Sequence, residues 1–257
     1  MNTLSLFALI KPVFLFTFDR KRLAYLTAIP FCVLAVFSYL ASRFPLWSLA
    51  ETVEPDLQIN VYMISASLFV FGYTFLALMH HTQRILFFGD GERTGRFFVP
   101  LPDKKLIRFL FVFIRIVCFS LFLSSLISIG FVLLCRFFKV FPEGNLFIFG
   151  GGIIMFAPYF MSRFIMKLSA QAADRMLGWL AAWTMVGRLT VMAMAMMAMF
   201  FIVPMALMSF LYERLLELNL PVLMVLCNAG MIYSILLACV LQSAFCGYMY
   251  SLLLSRS

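Results

Sequence analysis

The amino-acid sequence predicts an all-α, polytopic helical membrane protein. Six transmembrane helices and interfacial amphipathic helices form one integral membrane domain over residues 1–257. Three observations predict it. Of the 257 residues, 64% are hydrophobic and 12% charged, about half the roughly 25% charged share of soluble domains. Mean hydropathy is +1.03, and a soluble chain of this length has no means of hiding so much apolar surface. Six long stretches contain no Asp, Glu, Lys, Arg or His. This composition argues against a soluble enzyme, a disordered chain and a nucleic-acid-binding protein.

Residues 1–22 open the chain. Residues 1–18 are apolar and aromatic around Lys11-Pro12, and the cluster Asp19-Arg20-Lys21-Arg22 follows. This predicts an N-terminal helix lying on a membrane leaflet. A spanning helix needs about 20 apolar residues, and the stretches 24–42, 59–79, 116–135, 145–162, 190–212 and 221–254 meet that need. The first starts late and ends at bulky Phe44-Pro45-Leu46-Trp47, so it is not expected to be a cleaved signal. Residues 80–115 read as the largest loop, broken by Gly89, Gly91, Gly95, Pro100 and Pro102, with Leu106 to Arg115 climbing through the headgroups. Residues 164–188 read as one amphipathic helix, with Trp179 and Trp183 suited to the interface.

Charge sets the expected orientation. Fifteen of the twenty basic residues fall on the N-terminus, the second and fourth loops and the C-terminal tail. Only Arg43, Arg136, Lys139 and Arg214 fall on the other side, and Arg115 sits at a helix edge. This excess places both termini in the cytoplasm and explains the net charge of +9 without nucleic acid. Arg20, Lys21, Arg22, Lys104, Lys105, Arg108 and Arg115 are candidate contacts to anionic lipid headgroups.

Several residues could carry chemistry. His80-His81, with Asp90 and Glu92 further on, suggests a metal or acid–base site, but adjacent histidines diverge by about 100° on a helix. An interfacial polar cap is the expectation. Met192 and Met196, within a methionine-rich fifth span, are spaced for Cu(I), yet no Cys or His in that span completes a site, so packing is expected. Cys32, Cys118, Cys135, Cys227, Cys239 and Cys246 form no CxxC pair and read as packing residues. Asn228 and Gln242 read as amides bonding across helices. Gly150, Gly151 and Gly152, followed by Pro158, allow close helix packing or a helix break of the kind that builds transporter sites. Pro204 presents the same choice in the fifth span.

No triad, phosphate loop or HExxH motif appears, and no span carries an ionisable group for ion coupling. No catalytic, cofactor-binding or metal-binding residue is therefore expected. Arg84 and Asp90 flank an apolar run, and Arg163 and Asp174 hold similar places after the fourth span. Arg84 or Arg163 pairing with Asp90 or Asp174 would build a cytoplasmic platform that docks a partner or headgroups; the alternative is that each charge is solvated or snorkels to lipid phosphate.

The run Gln83-Arg84-Ile85-Leu86-Phe87-Phe88-Gly89-Asp90, and the segment from Arg163 to Arg188 with its Lys167-to-Asp174 core and Trp183-to-Gly187 ending, resemble a family of bacterial six-span inner-membrane proteins. That family is itself loosely similar to the membrane region of some glycerophosphodiester phosphodiesterases. Arg84, Gly89, Arg163, Ala170, Asp174 and Trp183 match its pattern; Gln83, Asp90 and Ser169 stand where it has His, Glu and Pro. The resemblance implies a six-span layout in a bacterial inner membrane and no established activity, since the phosphodiesterase catalytic domain has no counterpart here.

The function expected is that of a non-catalytic accessory or assembly subunit of a larger membrane complex. Its partners would be anionic lipids and other membrane subunits or further copies of itself. The alternative is a small-solute or lipid permease using the Gly150–Gly152 break. An enzyme centred on His80, His81 and Asp90 is the third reading.

Overall fold

In a computed structural model of the chain, the described residues are 6–43, 56–93, 96–137, 145–186, 221–255 and the isolated positions 206, 207, 210, 211 and 214. Among them 89% are α-helical and none is in a strand. The helices are α1 (Leu6–Thr17), α2 (Arg20–Arg43), α3 (Asp56–Phe88), α4 (Lys104–Phe137), α5 (Asn145–Ala172), α6 (Trp179–Val186) and α7 (Pro221–Leu254). Four segments are long and apolar enough to cross a membrane: Arg20–Tyr39, Lys104–Phe137, Phe149–Ala172 and Val225–Leu254. They contain most or all of the first, third, fourth and sixth expected spans. The second expected span lies inside α3, a continuous helix of 33 residues. Of the fifth, only positions 206, 207, 210 and 211 are described, so Met192, Met196 and Pro204 lie outside the described residues.

Two boundaries differ from expectation, each for a local reason. The loop expected from residue 80 starts at Gly89 instead. The Gly89 NH bonds the Ile85 carbonyl at 2.9 Å, and its backbone (φ 79°, ψ −168°) ends the helix in a region essentially reserved for glycine. The single amphipathic helix expected over 164–188 is two elements. α5 stops where Asp174 turns left-handed (φ 55°), and the Arg175 NH reaches back to the Ala170 carbonyl at 2.9 Å while the Asp174 NH reaches Gln171 at 3.2 Å. That paired closure is a Schellman turn; α6 begins after it. The helix break that Gly150–Gly152 offered as the alternative to close packing does not occur, and α5 runs unbroken through these glycines and through Pro158.

Helix starts follow their caps. The Asp19 carboxylate accepts the Lys21 NH at 3.0 Å and so opens α2, placing Arg20, Lys21 and Arg22 in its first turn rather than on a separate surface helix. Asp103 does the same for α4 by accepting the Leu106 NH.

Contacts divide the chain into two compact units, the first comprising 1–102 and 198–248, the second 103–197 and 249–257. In the first, α3 and α7 run parallel. Cys239 Sγ donates to the Phe75 carbonyl at 3.6 Å, Ser243 Oγ donates to Met79 at 3.2 Å, and Gly247 faces Leu86 so closely that an added Cβ would lie 3.1 Å from it. Small residues four apart let the two backbones approach this closely. In the second unit α4 and α5 are antiparallel. Ser120, Ser124 and Ser128 form a fully buried stripe on α4, and Ser124 and Ser128 return their hydroxyls to the carbonyls four residues back. Gly152 sits against Ser128; an added Cβ would overlap Ser128 Oγ and lie 3.0 Å from its Cβ. Elsewhere along its length α4 exposes Phe111, Phe122, Leu126 and Phe131.

Candidate functional site

In the first unit the charged residues gather where α3 ends against the start of α2. Arg84 is 4% exposed. Its Nε and Nη2 donate to the two Glu92 carboxylate oxygens at 2.9 and 2.7 Å, and its guanidinium lies 4.7 Å over the Phe88 ring. A two-pronged pair of this kind is among the stronger polar contacts a protein makes. The Gly89 turn folds Glu92 back over the last turns of α3. Asp90 instead takes Arg93 Nη2 at 2.9 Å and Arg22 Nε at 3.3 Å, tying the turn to α2. Arg22 also rests over Phe16 of α1.

The histidines diverge as helical spacing requires. His80 is buried. His81 Nε2 lies 3.1 Å from Tyr25 Oη, and its ring stacks on Phe98 at 4.5 Å. Phe98 in turn donates its NH to the Tyr25 carbonyl at 3.0 Å, and Arg93 lies over the Tyr25 ring. The pair thus belongs to an aromatic joint between α2, α3 and the following loop. Among the described residues no group of three or more His, Cys, Asp or Glu could hold a metal ion.

In the second unit Asp174 pairs with Lys105 Nζ at 3.0 Å. Arg163 donates Nε and Nη2 to Tyr159 Oη at 3.3 and 3.1 Å and Nη1 to the Trp183 carbonyl at 3.2 Å, with Trp183 4.7 Å beneath it. Lys167 donates to the Leu177 carbonyl and lies 4.8 Å over Trp179. Trp179 packs on Phe164 and Phe119 at 5.1 and 5.2 Å. α6 is therefore laid against α5 by two tryptophans, each capped by a cation.

The structure thus brings together Arg84 with Glu92, Asp90 with Arg22 and Arg93, and Asp174 with Lys105. Every acidic side chain among the described ones is engaged in a helix cap or an ion pair. Sequence reasoning missed Glu92 and Lys105 as the partners, and missed Lys167. The signals available were the glycine at 89, one residue before Asp90 and three before Glu92, and the four-residue step from Arg163 to Lys167. Gly150 and Gly151 stand in open space, whereas Gly152 is a packing residue; Pro158 is exposed within α5. Lys104, Arg108 and Arg115 are exposed on α4, and Arg20 and Lys21 on α2. Asn228 is exposed and Gln242 half-buried on α7. No protein-family model, no curated protein and no solved structure matches this chain.

Proposed function

We propose that the chain is a non-catalytic integral membrane protein of a bacterial inner membrane, serving as an accessory or assembly subunit of a larger membrane complex. The observation that carries this reading is the use made of the acids. The described carboxylates all hold helices and turns in place, so none of them is left poised for proton relay or general acid–base work. The apolar residues exposed along α4 suit contact with acyl chains or neighbouring subunits. The continuous course of α5 through Gly150–Gly152 removes the helix break on which a permease would rely.

Six spans with both termini cytoplasmic belong to the same proposal. α3 and α7 run parallel, so an odd number of crossings separates them. α4 and α5 supply two, and the apolar stretch 190–212 is the sequence available for the third. The charged joints at Arg84–Glu92 and at Lys105–Asp174 would each brace a cytoplasmic surface for docking.

Affinity purification of the full chain from gently solubilised membranes tests the function. The expected result is a defined set of co-purifying membrane subunits and a native-gel band well above the 29.4 kDa monomer. A monomer that catalyses proton-coupled uptake in liposomes would defeat the reading.

A further inference from the structure

Among its described residues, the second unit carries a surplus of cations that its carboxylates do not neutralise. Its described acids are Asp103, which caps α4, and Asp174, which is held by Lys105. Against them stand Arg108, Arg115, Arg163 and Lys167, none of which has a carboxylate partner among the described residues.

Three of these cations converge. Arg163 and Lys167 are four residues apart on one face of α5. The register of the α4–α5 hairpin supplies the third: Gly152 meets Ser128, Phe164 meets Phe119, and Asp174 meets Lys105. This antiparallel register sets Arg115 level with Lys167, and the two lie within electrostatic reach of one another. Like charges held together in this way repel unless an anion joins them.

All three cations keep hydrogen-bond donors to spare. Arg163 spends three of its five N–H donors on neutral acceptors, Tyr159 Oη and the Trp183 carbonyl, which leaves two. Lys167 spends one of its three donors on the Leu177 carbonyl. Arg115 is exposed, with no hydrogen bond to a described residue. Trp179 and Trp183 lie beneath the two α5 cations, and tryptophan is the side chain that settles at headgroup depth.

We infer that Arg115, Arg163 and Lys167, framed by Trp179 and Trp183, form a binding site for the phosphate of an anionic membrane lipid. The inference rests on the reading of α4 and α5 as membrane-spanning, and it turns a general attraction to headgroups into one defined site.

Native mass spectrometry of the full-length protein in detergent tests it, with phosphatidylglycerol, phosphatidylcholine and inorganic phosphate as probes. Wild type should retain phosphatidylglycerol over phosphatidylcholine, and R115Q and K167Q should each lower that retention about fivefold. R136Q, at the far end of α4, should leave it unchanged, and R115K should bind as wild type does. Retention unaltered in R115Q, or lost equally in R115K, would overturn the site. Displacement of the lipid by inorganic phosphate would assign the site to a soluble anion and overturn the lipid. Alkaline extraction of the same membranes separates this from the broader reading: wild type leaving the membrane would defeat the spanning assignment itself.

Discussion

Arg84 gives up nearly all of its water when α3 packs, and Glu92 returns the missing charge through two hydrogen bonds. Breaking a buried pair by removing one partner costs about 3–5 kcal/mol. Glu92 remains 31% exposed, so screening lowers the expected cost of Glu92→Gln to roughly 2 kcal/mol. Thermal unfolding in detergent should show this, and Arg84→Leu added to Glu92→Gln should recover part of it. A Glu92→Gln variant as stable as wild type would make the pair decorative. Asp174 allows a second measurement. Its left-handed backbone favours glycine, so Asp174→Gly should be more stable than Asp174→Ala by about 1 kcal/mol, although both lose the Lys105 contact. Equal stabilities would remove the backbone argument. At this scale the sequence singled out Arg84, Asp90, Arg163 and Asp174 as charged positions to pair, and the ion pairs found among the described residues are others. It did not identify partners, because Arg84 to Asp90 and Arg84 to Glu92 are equally plausible spacings until the φ of Gly89 is known.

Among the elements, the α4–α5 pair was legible as two spans but not as an interface. Three serines spaced by four residues and a run of three glycines are each compatible with packing, and only the hairpin register selects Gly152 as the glycine that meets Ser128. The packing account predicts a sharp asymmetry. Gly152→Ala should destabilise the protein by about 1–3 kcal/mol through overpacking, while Gly150→Ala and Gly151→Ala, which meet nothing, should be neutral or slightly stabilising through helix propensity. The same detergent melts read both; a Gly150→Ala loss matching that of Gly152→Ala would point back to a hinge. The split between α5 and α6 escaped the sequence because its left-handed turn residue is an aspartate, so the usual glycine signal for a helix end is missing.

For the molecule as a whole, composition alone foretold helices apolar enough to cross a membrane, and four of the described helices are long and apolar enough to do so. The number of crossings is a matter of parity. With α3 and α7 parallel, reporters fused at residue 95 and at the C-terminus should read one side of the membrane, and those at residues 54 and 217 the other. A reporter at residue 217 on the same side as one at residue 95 would cancel the crossing assigned to 190–212 and the six-span proposal with it. Nothing in periodicity could have placed α3 beside α7, because the residues that join them are 164 positions apart.

That separation has a consequence for biogenesis. α3 leaves the ribosome long before α7 is translated, while α4 and α5 are near neighbours along the chain. The serine-lined hairpin can close as soon as its second helix has been made, but the groove on α3 that receives Cys239, Ser243 and Gly247 must wait. During that interval the carbonyls of Phe75 and Met79 lack the side chains that later bond them, and insertion factors or lipid must shield the vacant face. Nascent chains stalled before residue 221 should therefore show a protease-resistant α4–α5 hairpin and an α3 that cross-links to the insertion machinery. Release of that cross-link should coincide with synthesis of α7.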